Sequence, residues 1–358
     1  MLRSHVLVGT REAGHDAILT ARSSDVLQGE AAFRPIAPWS GSDARLLQAP
    51  EWSAEDIFVG RPSFIHPAAA FRVDLNDPGT AHLVQGRPDT HDEYVEETLE
   101  VRGSDGTWVP MTVVRRADSS GGAPTVLSGY GAYGVSQERR YNPMMLRLMD
   151  RGVTFAVAHV RGGGENGASW HDAARGLEKP RSFDDFLACR DELVRSGIAD
   201  GDSIVAMGGS AGGLLVAASL NRRPDAFVGV VVDVPFVDPL TTMMMPELPL
   251  TVSDRAEWGD PLADPAIARC LLSYSPYHNV QSTSYPPVFA ACGLRDSRVS
   301  PVEPLKWINE LRHRASGGPF VLAVRDAGHS GRSSMDDALH DLALEYAWVS
   351  ACLGVTPA

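Results

Sequence analysis

The chain has 358 residues, 44% of them hydrophobic and 22% charged, as is usual for globular proteins. Its net charge of −13 argues against nucleic acid as the main partner, since binding phosphates requires clustered basic residues. The sequence has no apolar stretch of membrane-spanning length, no signal-peptide pattern at its start and no metal-type spacing of its four cysteines. We therefore expect no membrane segment, no metal and no cofactor, and a cytoplasmic location.

Residues 1–95 are predicted to form a β-rich segment, because short apolar runs there alternate with turn signals. The turn Asn76–Gly79 predicts a hairpin, and residues 35–55 are predicted to be a loop. Such strands resemble one or two blades of a propeller, but no repeat is present to close one. The candidate strands are Val6–Val8, Ile57–Val59, Ala70–Leu75 and Ala81–Val84.

Residues 96–358 are predicted to form a second, larger domain. It begins with a hairpin of Glu96–Arg102 and Val109–Val114. Strands and helices then alternate, which predicts a mostly parallel sheet covered by helices on both faces. The further candidate strands are Thr125–Ser128, Val153–His159, Ser203–Met207, Val228–Asp233, Val288–Cys292 and Phe320–Val324, and the candidate helices lie near 143–151, 183–196, 211–221, 302–314 and 336–352.

A Gly-x-Ser-x-Gly pattern surrounds Ser210, between an apolar strand and a helix-forming run. This arrangement is typical of a nucleophile elbow, in which small neighbours allow the strand and the helix to approach closely. A phosphate-binding loop is the alternative, but the Gly-Lys ending of that motif is absent and the nearest lysine is Lys179. Together with the alternating strands and helices, the elbow predicts an α/β-hydrolase fold with a short N-terminal β-rich extension.

A serine nucleophile needs a base and an orienting acid, which in this fold follow in the order Ser, Asp or Glu, His. Asp296 and His329 each follow a predicted strand, and they are the candidate acid and base. Asp326 competes with Asp296 for the role of the acid. Three other histidines are set aside, because two lie in predicted helices and one follows no strand: His313, His340 and His278.

An oxyanion formed at this site would need two donors. One is the backbone N–H of Ala211, directly after the nucleophile. The loop Ser128–Gly134, which follows an early strand, could supply the second through a tyrosine hydroxyl. A tyrosine that merely packs in this loop is equally consistent with the sequence.

Taken together, these segments resemble the prolyl oligopeptidase family of serine peptidases, and within it the oligopeptidase B catalytic domain. The resemblance covers roughly residues 95–353 and implies Ser210, Asp296 and His329 as the triad. It also implies Tyr130 with Ala211 as the oxyanion hole, and Arg298 as a ligand of a substrate carbonyl. The matching motifs, in order, are 129–134, 159–165, 208–213, 234–238, 257–259, 273–277 and the loops around Asp296 and His329.

The sequence departs from the family first in size, because fewer than 100 residues precede the catalytic part and cannot form a full propeller. We therefore expect a more open site, or a site covered by another subunit of a homo-oligomer.

The acidic residues that bind basic substrate side chains in oligopeptidase B are also altered. Asp254 keeps one of them, while Arg255 adds a positive charge beside it. Glu138 keeps an acid for the next substrate position, while Arg140 stands where a second acid is expected. An unmatched charge in a dry pocket is costly, so we expect poor cleavage after paired basic residues. Alternatively, these arginines pair with neighbouring acids on the surface.

These features predict a serine hydrolase that acts on peptide or amide bonds through a Ser-Asp-His triad and an acyl-enzyme. The expected partner is a peptide or a small acyl substrate. The first alternative is an esterase, or an acyltransferase or cyclase of a biosynthetic pathway, that uses the same intermediate. The second is a non-catalytic protein that has kept the fold.

Overall fold

A computed structural model describes residues 2–12, 15–36, 44–86, 93–332 and 334–356. The N-terminal part consists of short antiparallel strands and one helix. Its elements are β1 (His5–Glu12), β2 (His15–Arg22), α1 (Ser23–Gln28), β3 (Arg34–Pro35), β4 (Arg45–Leu46), β5 (Asp56–Gly60), β6 (Ala70–Asp74) and β7 (Ala81–Gln85).

The N-terminal strands form two sheets, with the orders β1-β2-β3 and β4-β5-β6-β7. The four predicted strands are confirmed, and β6 and β7 form the predicted antiparallel hairpin. The predicted loop over 35–55 was wrong at Pro35, which belongs to β3 and pairs with β2, and at β4, which pairs with β5. Residues 37–43 of that prediction lie outside the described residues. A separate hydrophobic cluster, which includes Ile18, Ile57 and Val73, fills the space between the sheets.

The larger part contains the remaining strands and helices. The strands are β8 (Tyr94–Arg102), β9 (Trp108–Arg116), β10 (Ala123–Gly129), β11 (Thr154–Ala158), β12 (Ala199–Gly209), β13 (Gly229–Asp233), β14 (Ser284–Tyr285), β15 (Val288–Gly293), β16 (Ser316–Gly317) and β17 (Phe320–Arg325). The helices are α2 (Pro143–Met149), α3 (Ala168–Asp172), α4 (Pro180–Arg195), α5 (Ala211–Arg222), α6 (Pro239–Met243), α7 (Thr251–Trp258), α8 (Pro265–Tyr274), α9 (Val302–Arg314) and α10 (Met335–Leu353), with short 3-10 turns at Gly176–Glu178 and Pro224–Ala226.

Eight of these strands form one sheet, in the order β17-β15-β13-β12-β10-β11-β9-β8. The strands from β17 to β11 pair in parallel, whereas β9 and β8 pair antiparallel at one edge. The central strands are buried on both faces, and this explains their nearly continuous apolar sequences. The sheet confirms the predicted α/β-hydrolase fold.

Helices cover both faces of this sheet. On one face, α4, α5 and α9 contribute side chains such as Phe186, Leu214 and Trp307 to the main core. On the other face, α2 and α10 pack through side chains such as Met149 and Tyr346. Because both faces are covered, the loops at the carboxyl ends of the parallel strands are where a site can open to solvent.

Within the described ranges, no helix is both long enough and apolar enough to cross a bilayer. The same residues include no group of three or more His, Cys, Asp or Glu side chains arranged to hold a metal ion.

Candidate active site

Ser210 lies at the sharp turn between β12 and α5. Its backbone is left-handed, with φ 54° and ψ −121°, a strained conformation for a residue with a side chain. The neighbouring glycines make the turn possible, because a Cβ on Gly208 would lie 2.3 Å from the carbonyl oxygen of Gly212. A Cβ on Gly212 would in turn lie 2.6 Å from the carbonyl oxygen of Gly129. The turn has the geometry of a nucleophile elbow.

Two further loops bring an imidazole and a carboxylate to this serine. His329, after β17, has its Nε2 3.1 Å from the Ser210 Oγ and its Nδ1 2.7 Å from the Asp296 Oδ2. Asp296 follows β15, and its Oδ1 accepts the backbone N–H groups of Arg298 and Val299 at 2.8 and 3.0 Å. The carboxylate is therefore fixed on one side by the backbone and faces the imidazole on the other.

The competing residues lie elsewhere. The Asp326 carboxylate is 75% exposed and pairs with Arg295 at 3.3 Å, so it is not the partner of the imidazole. His313 and His340 lie on α9 and α10, in line with their predicted helices. The Nδ1 of His278 bonds to the hydroxyl of Ser275 instead.

Tyr130 and Ala211, the residues predicted to form an oxyanion hole, line the same cleft as Ser210. Tyr130 directly follows β10, and burial raises the pKa of its hydroxyl, while a hydrogen bond with the Ser210 side chain opposes that shift. Ala211 is the first residue of α5, so its N–H has no partner within the helix. The positive end of the helix dipole also points toward this position.

These groups open into one cleft of about 850 Å³. Besides Tyr130, Ser210, Ala211, Asp296 and His329, its polar wall includes Asp254 and Arg298. Its apolar wall is formed by Val135, Phe236, Leu248, Pro249, Leu250 and Val299. A cleft of this size and mixed lining suits a substrate with an apolar side chain or stem next to the reacting bond.

Asp254 is the acidic group of this cleft apart from Asp296. It is half-buried, burial raises its pKa, and it accepts a hydrogen bond from the Tyr133 hydroxyl at 3.1 Å. The Trp258 Nε1–H donates to the same hydroxyl at 2.9 Å. Tyr133 and Trp258 lie in two of the motifs that carry the family resemblance, but neither was predicted as a site residue.

Arg298 lies at the edge of the cleft, two residues after the acid. Its side chain is exposed and makes no hydrogen bond or ion pair with any residue in the described parts of the chain. Its guanidinium is therefore available to a carbonyl or carboxylate of a ligand.

The other three predicted substrate-binding residues do not line the cleft. Glu138 accepts hydrogen bonds from Arg45 at 3.1 Å and from Arg140 at 2.6 Å. Arg255 pairs with Asp260 at 3.0 Å. The prediction that Arg140 and Arg255 add unmatched charge to the substrate pocket is therefore corrected: both pair with neighbouring acids, as the alternative interpretation expected.

Known proteins are similar to this chain over most of its length. The profile of the prolyl oligopeptidase family matches residues 140–356. Dipeptidyl aminopeptidase BI of Pseudoxanthomonas mexicana is 37% identical over 313 residues, which are 86% of this chain and 43% of that protein. Protease 2 of Moraxella lacunata is 34% identical over 318 residues, or 87% of this chain and 46% of that protein.

The oligopeptidase B structure from Leishmania major superimposes with a TM-score of 0.89 at 32% identity and covers 99% of this chain and 51% of that one. The chain thus spans about half the length of the relatives that it matches. The resemblance expected from the motifs is confirmed, and the chain belongs to the prolyl oligopeptidase family.

Proposed function

We propose that the chain is a serine peptidase that cleaves peptide or amide bonds through an acyl-enzyme on Ser210. The observation that carries the proposal is the continuous hydrogen-bonded chain from the Ser210 Oγ through His329 to Asp296, with distances of 3.1 and 2.7 Å. The related proteins named above include an aminopeptidase, a protease and an oligopeptidase, and this favours the peptidase over the esterase and acyltransferase alternatives.

In this mechanism, the Ser210 Oγ attacks the substrate carbonyl carbon while the His329 Nε2 accepts the hydroxyl proton. Asp296 keeps the proton of the neutral imidazole on Nδ1 and stabilises the imidazolium that forms. The tetrahedral oxyanion accepts hydrogen bonds from the Tyr130 hydroxyl and the Ala211 N–H. His329 then protonates the leaving amine. Water attacks the acyl-enzyme in the same way, with His329 again as the base, and releases the acyl product from Ser210.

For specificity, we propose that one basic or hydrogen-bond-donating side chain of the substrate reaches Asp254. This carboxylate lines the cleft together with apolar residues such as Leu250, and only the Tyr133 hydroxyl donates to it among the hydrogen bonds of the described residues. Arg298 would hold a backbone carbonyl of the substrate. Among the described residues that line the cleft, the acids are Asp254 and Asp296, so a second basic side chain meets no further acid there. Glu138, outside the cleft, is already bonded to Arg45 and Arg140.

We also propose that residues 1–95 form a unit distinct from residues 96–358. The separate hydrophobic cluster of the N-terminal sheets supports this division. The unit contacts the loop after Gly134, where Arg11 donates to Ser136 at 2.7 Å and Arg45 donates to Glu138. Coverage of the open cleft by a second copy of the chain stays a prediction, which light scattering would test.

A fluorophosphonate probe tests the catalytic proposal directly. The wild-type chain should be labelled and should hydrolyse peptide amides, and Ser210→Ala should lose both activities. Ser297→Ala is the matched control, since that serine also lines the cleft but has no hydrogen bond to His329. Absence of labelling in folded wild-type protein would refute the proposal. Preference for paired arginines in the substrate would refute the assignment of Glu138.

A further inference from the structure

The loop that carries Tyr130 is strained. Its backbone is left-handed at Gly131, Tyr133 and Gly134, with φ values of 66°, 58° and 63°. Glycine adopts this conformation freely, but a tyrosine does not. A loop of this shape persists only where surrounding contacts hold it.

Lys179, at the start of α4, supplies one of these contacts. Its Nζ donates to the carbonyl oxygen of Gly131 at 2.5 Å, and its side chain is only 3% exposed. The Ser182 hydroxyl lies 3.5 Å from the same oxygen. This carbonyl is one residue away from Tyr130, so the position of its peptide constrains the direction of the tyrosine side chain.

The ammonium group of Lys179 is buried, and the carboxylate of Glu257 is its counter-charge. Burial lowers the pKa of Lys179 to about 8, and Glu257, 3.5 Å away, opposes that shift. The ammonium also lies 4.8 Å from the centre of the Trp258 ring, whose Nε1–H donates to Tyr133. At neutral pH, a charged donor therefore binds the loop at Gly131 while its neighbour Trp258 binds the loop at Tyr133.

The space around this group fits a lysine rather than an arginine. The chain has 32 lysines and arginines, and only Lys179 and Lys306 among them are lysines. A Cβ on Gly162 would lie 3.1 Å from the Lys179 Nζ and 2.2 Å from the Gly131 oxygen. A compact ammonium fits between these groups, whereas a planar guanidinium is wider.

We propose that Lys179 is a positioning residue of the oxyanion hole, and that it holds the Gly131 carbonyl so that the Tyr130 hydroxyl stays directed at Ser210. The inference rests on the proposed function, in which Tyr130 stabilises the oxyanion. Lys179 does not line the cleft and acts only through the loop.

Lys179→Met tests this proposal, because it keeps an apolar stem of similar length and removes the donor. Lys306→Met is the matched control, since the only other lysine pairs with Asp238 away from the loop. We expect kcat and the rate of fluorophosphonate labelling to fall 10- to 100-fold in Lys179→Met, with KM changed less than threefold. Lys306→Met should retain the wild-type rates.

The Tyr130→Phe background distinguishes positioning from a general structural role. If Lys179 acts through the tyrosine hydroxyl, adding Lys179→Met to Tyr130→Phe should cost less than threefold more in kcat. A full multiplicative loss in this background would overturn the proposal, as would an unchanged kcat in folded Lys179→Met.

Glu257→Gln provides a second variant in case Lys179→Met does not fold. It leaves the lysine in place and removes its counter-charge, and we expect a several-fold fall in kcat at constant KM. An unchanged kcat would contradict the proposal. If the wild-type protein is labelled and Lys179→Met has the wild-type rates, only the role of Lys179 is overturned. If the wild-type protein is not labelled, the proposed function is overturned as well.

Discussion

Replacing Asp296 by asparagine would reverse one hydrogen bond of the proposed triad. The Oδ1 of Asp296 accepts two backbone N–H groups, at 2.8 and 3.0 Å, so the amide oxygen of an asparagine would take that position. The amide NH₂ would then face the Nδ1 of His329, where the Oδ2 now lies at 2.7 Å. It would donate to Nδ1 and move the imidazole proton to Nε2.

An imidazole protonated at Nε2 cannot accept the proton of Ser210, which lies 3.1 Å away. The loss of the base and of the charge that stabilises the imidazolium lowers kcat by about 10⁴-fold, or about 5 kcal/mol in activation free energy. Steady-state hydrolysis of a peptide amide measures this loss. The fold should survive, because asparagine has nearly the same volume and keeps both backbone hydrogen bonds.

Asp326→Asn is the matched control, since this aspartate was the competing acid and its carboxylate is exposed. It should leave kcat within twofold of wild type. A loss of less than tenfold in Asp296→Asn, or an equal loss in Asp326→Asn, would refute the assignment of the acid.

Three further predictions concern the oxyanion hole, the cleft and the stability of the fold. Tyr130→Phe should lower kcat about 100-fold with KM within threefold, measured on the same amide, and an unchanged kcat would exclude the hydroxyl as a donor. Asp254→Asn should lower kcat/KM for a substrate with a basic side chain at least tenfold more than for a neutral one, and equal losses would count against the specificity proposal. Burial raises the pKa of Glu303 from 4.5 to about 7. Between these values the folded state keeps a proton that the unfolded state loses. The contribution of Glu303 to the free energy of unfolding therefore falls by about 3 kcal/mol as the pH rises from 4.5 to 7. Glu303→Gln should remove this pH dependence of the free energy of unfolding, measured by urea unfolding between pH 4.5 and 8. An unaltered pH dependence would show that Glu303 is not its source.

The elements predicted best from the sequence are those whose burial is nearly complete. The central strands are continuous apolar runs, and the limits of α9 were predicted correctly as 302–314. β2 was missed, because its residues alternate irregularly and its strand structure depends on pairing with β1. α7 and α8 were missed as well, since the sequence around them mixes turn signals with short apolar runs.

The chemistry of the site was more predictable than its charge balance. Ser210, Asp296 and His329 are each marked by a local pattern at the end of a strand. The environment of Glu138 depends instead on Arg45, which is 93 residues away in sequence. The pairing of Arg255 with Asp260 is local, but nothing in the sequence distinguishes it from an arginine that faces the cleft.

Lys179 illustrates the same difficulty at a position that affects catalysis in our proposal. In sequence it stands between Glu178 and Pro180, where an exposed basic residue at a helix start is the ordinary expectation. Its burial arises from Gly131 on one side and from Glu257 and Trp258 on the other, which come from segments far apart in the chain. Because desolvating an ammonium is unfavourable, it occupies this position only where a carbonyl, a carboxylate and a ring together replace water. A local sequence pattern therefore indicates the groups that react, whereas the groups that hold them in place emerge only when distant segments meet.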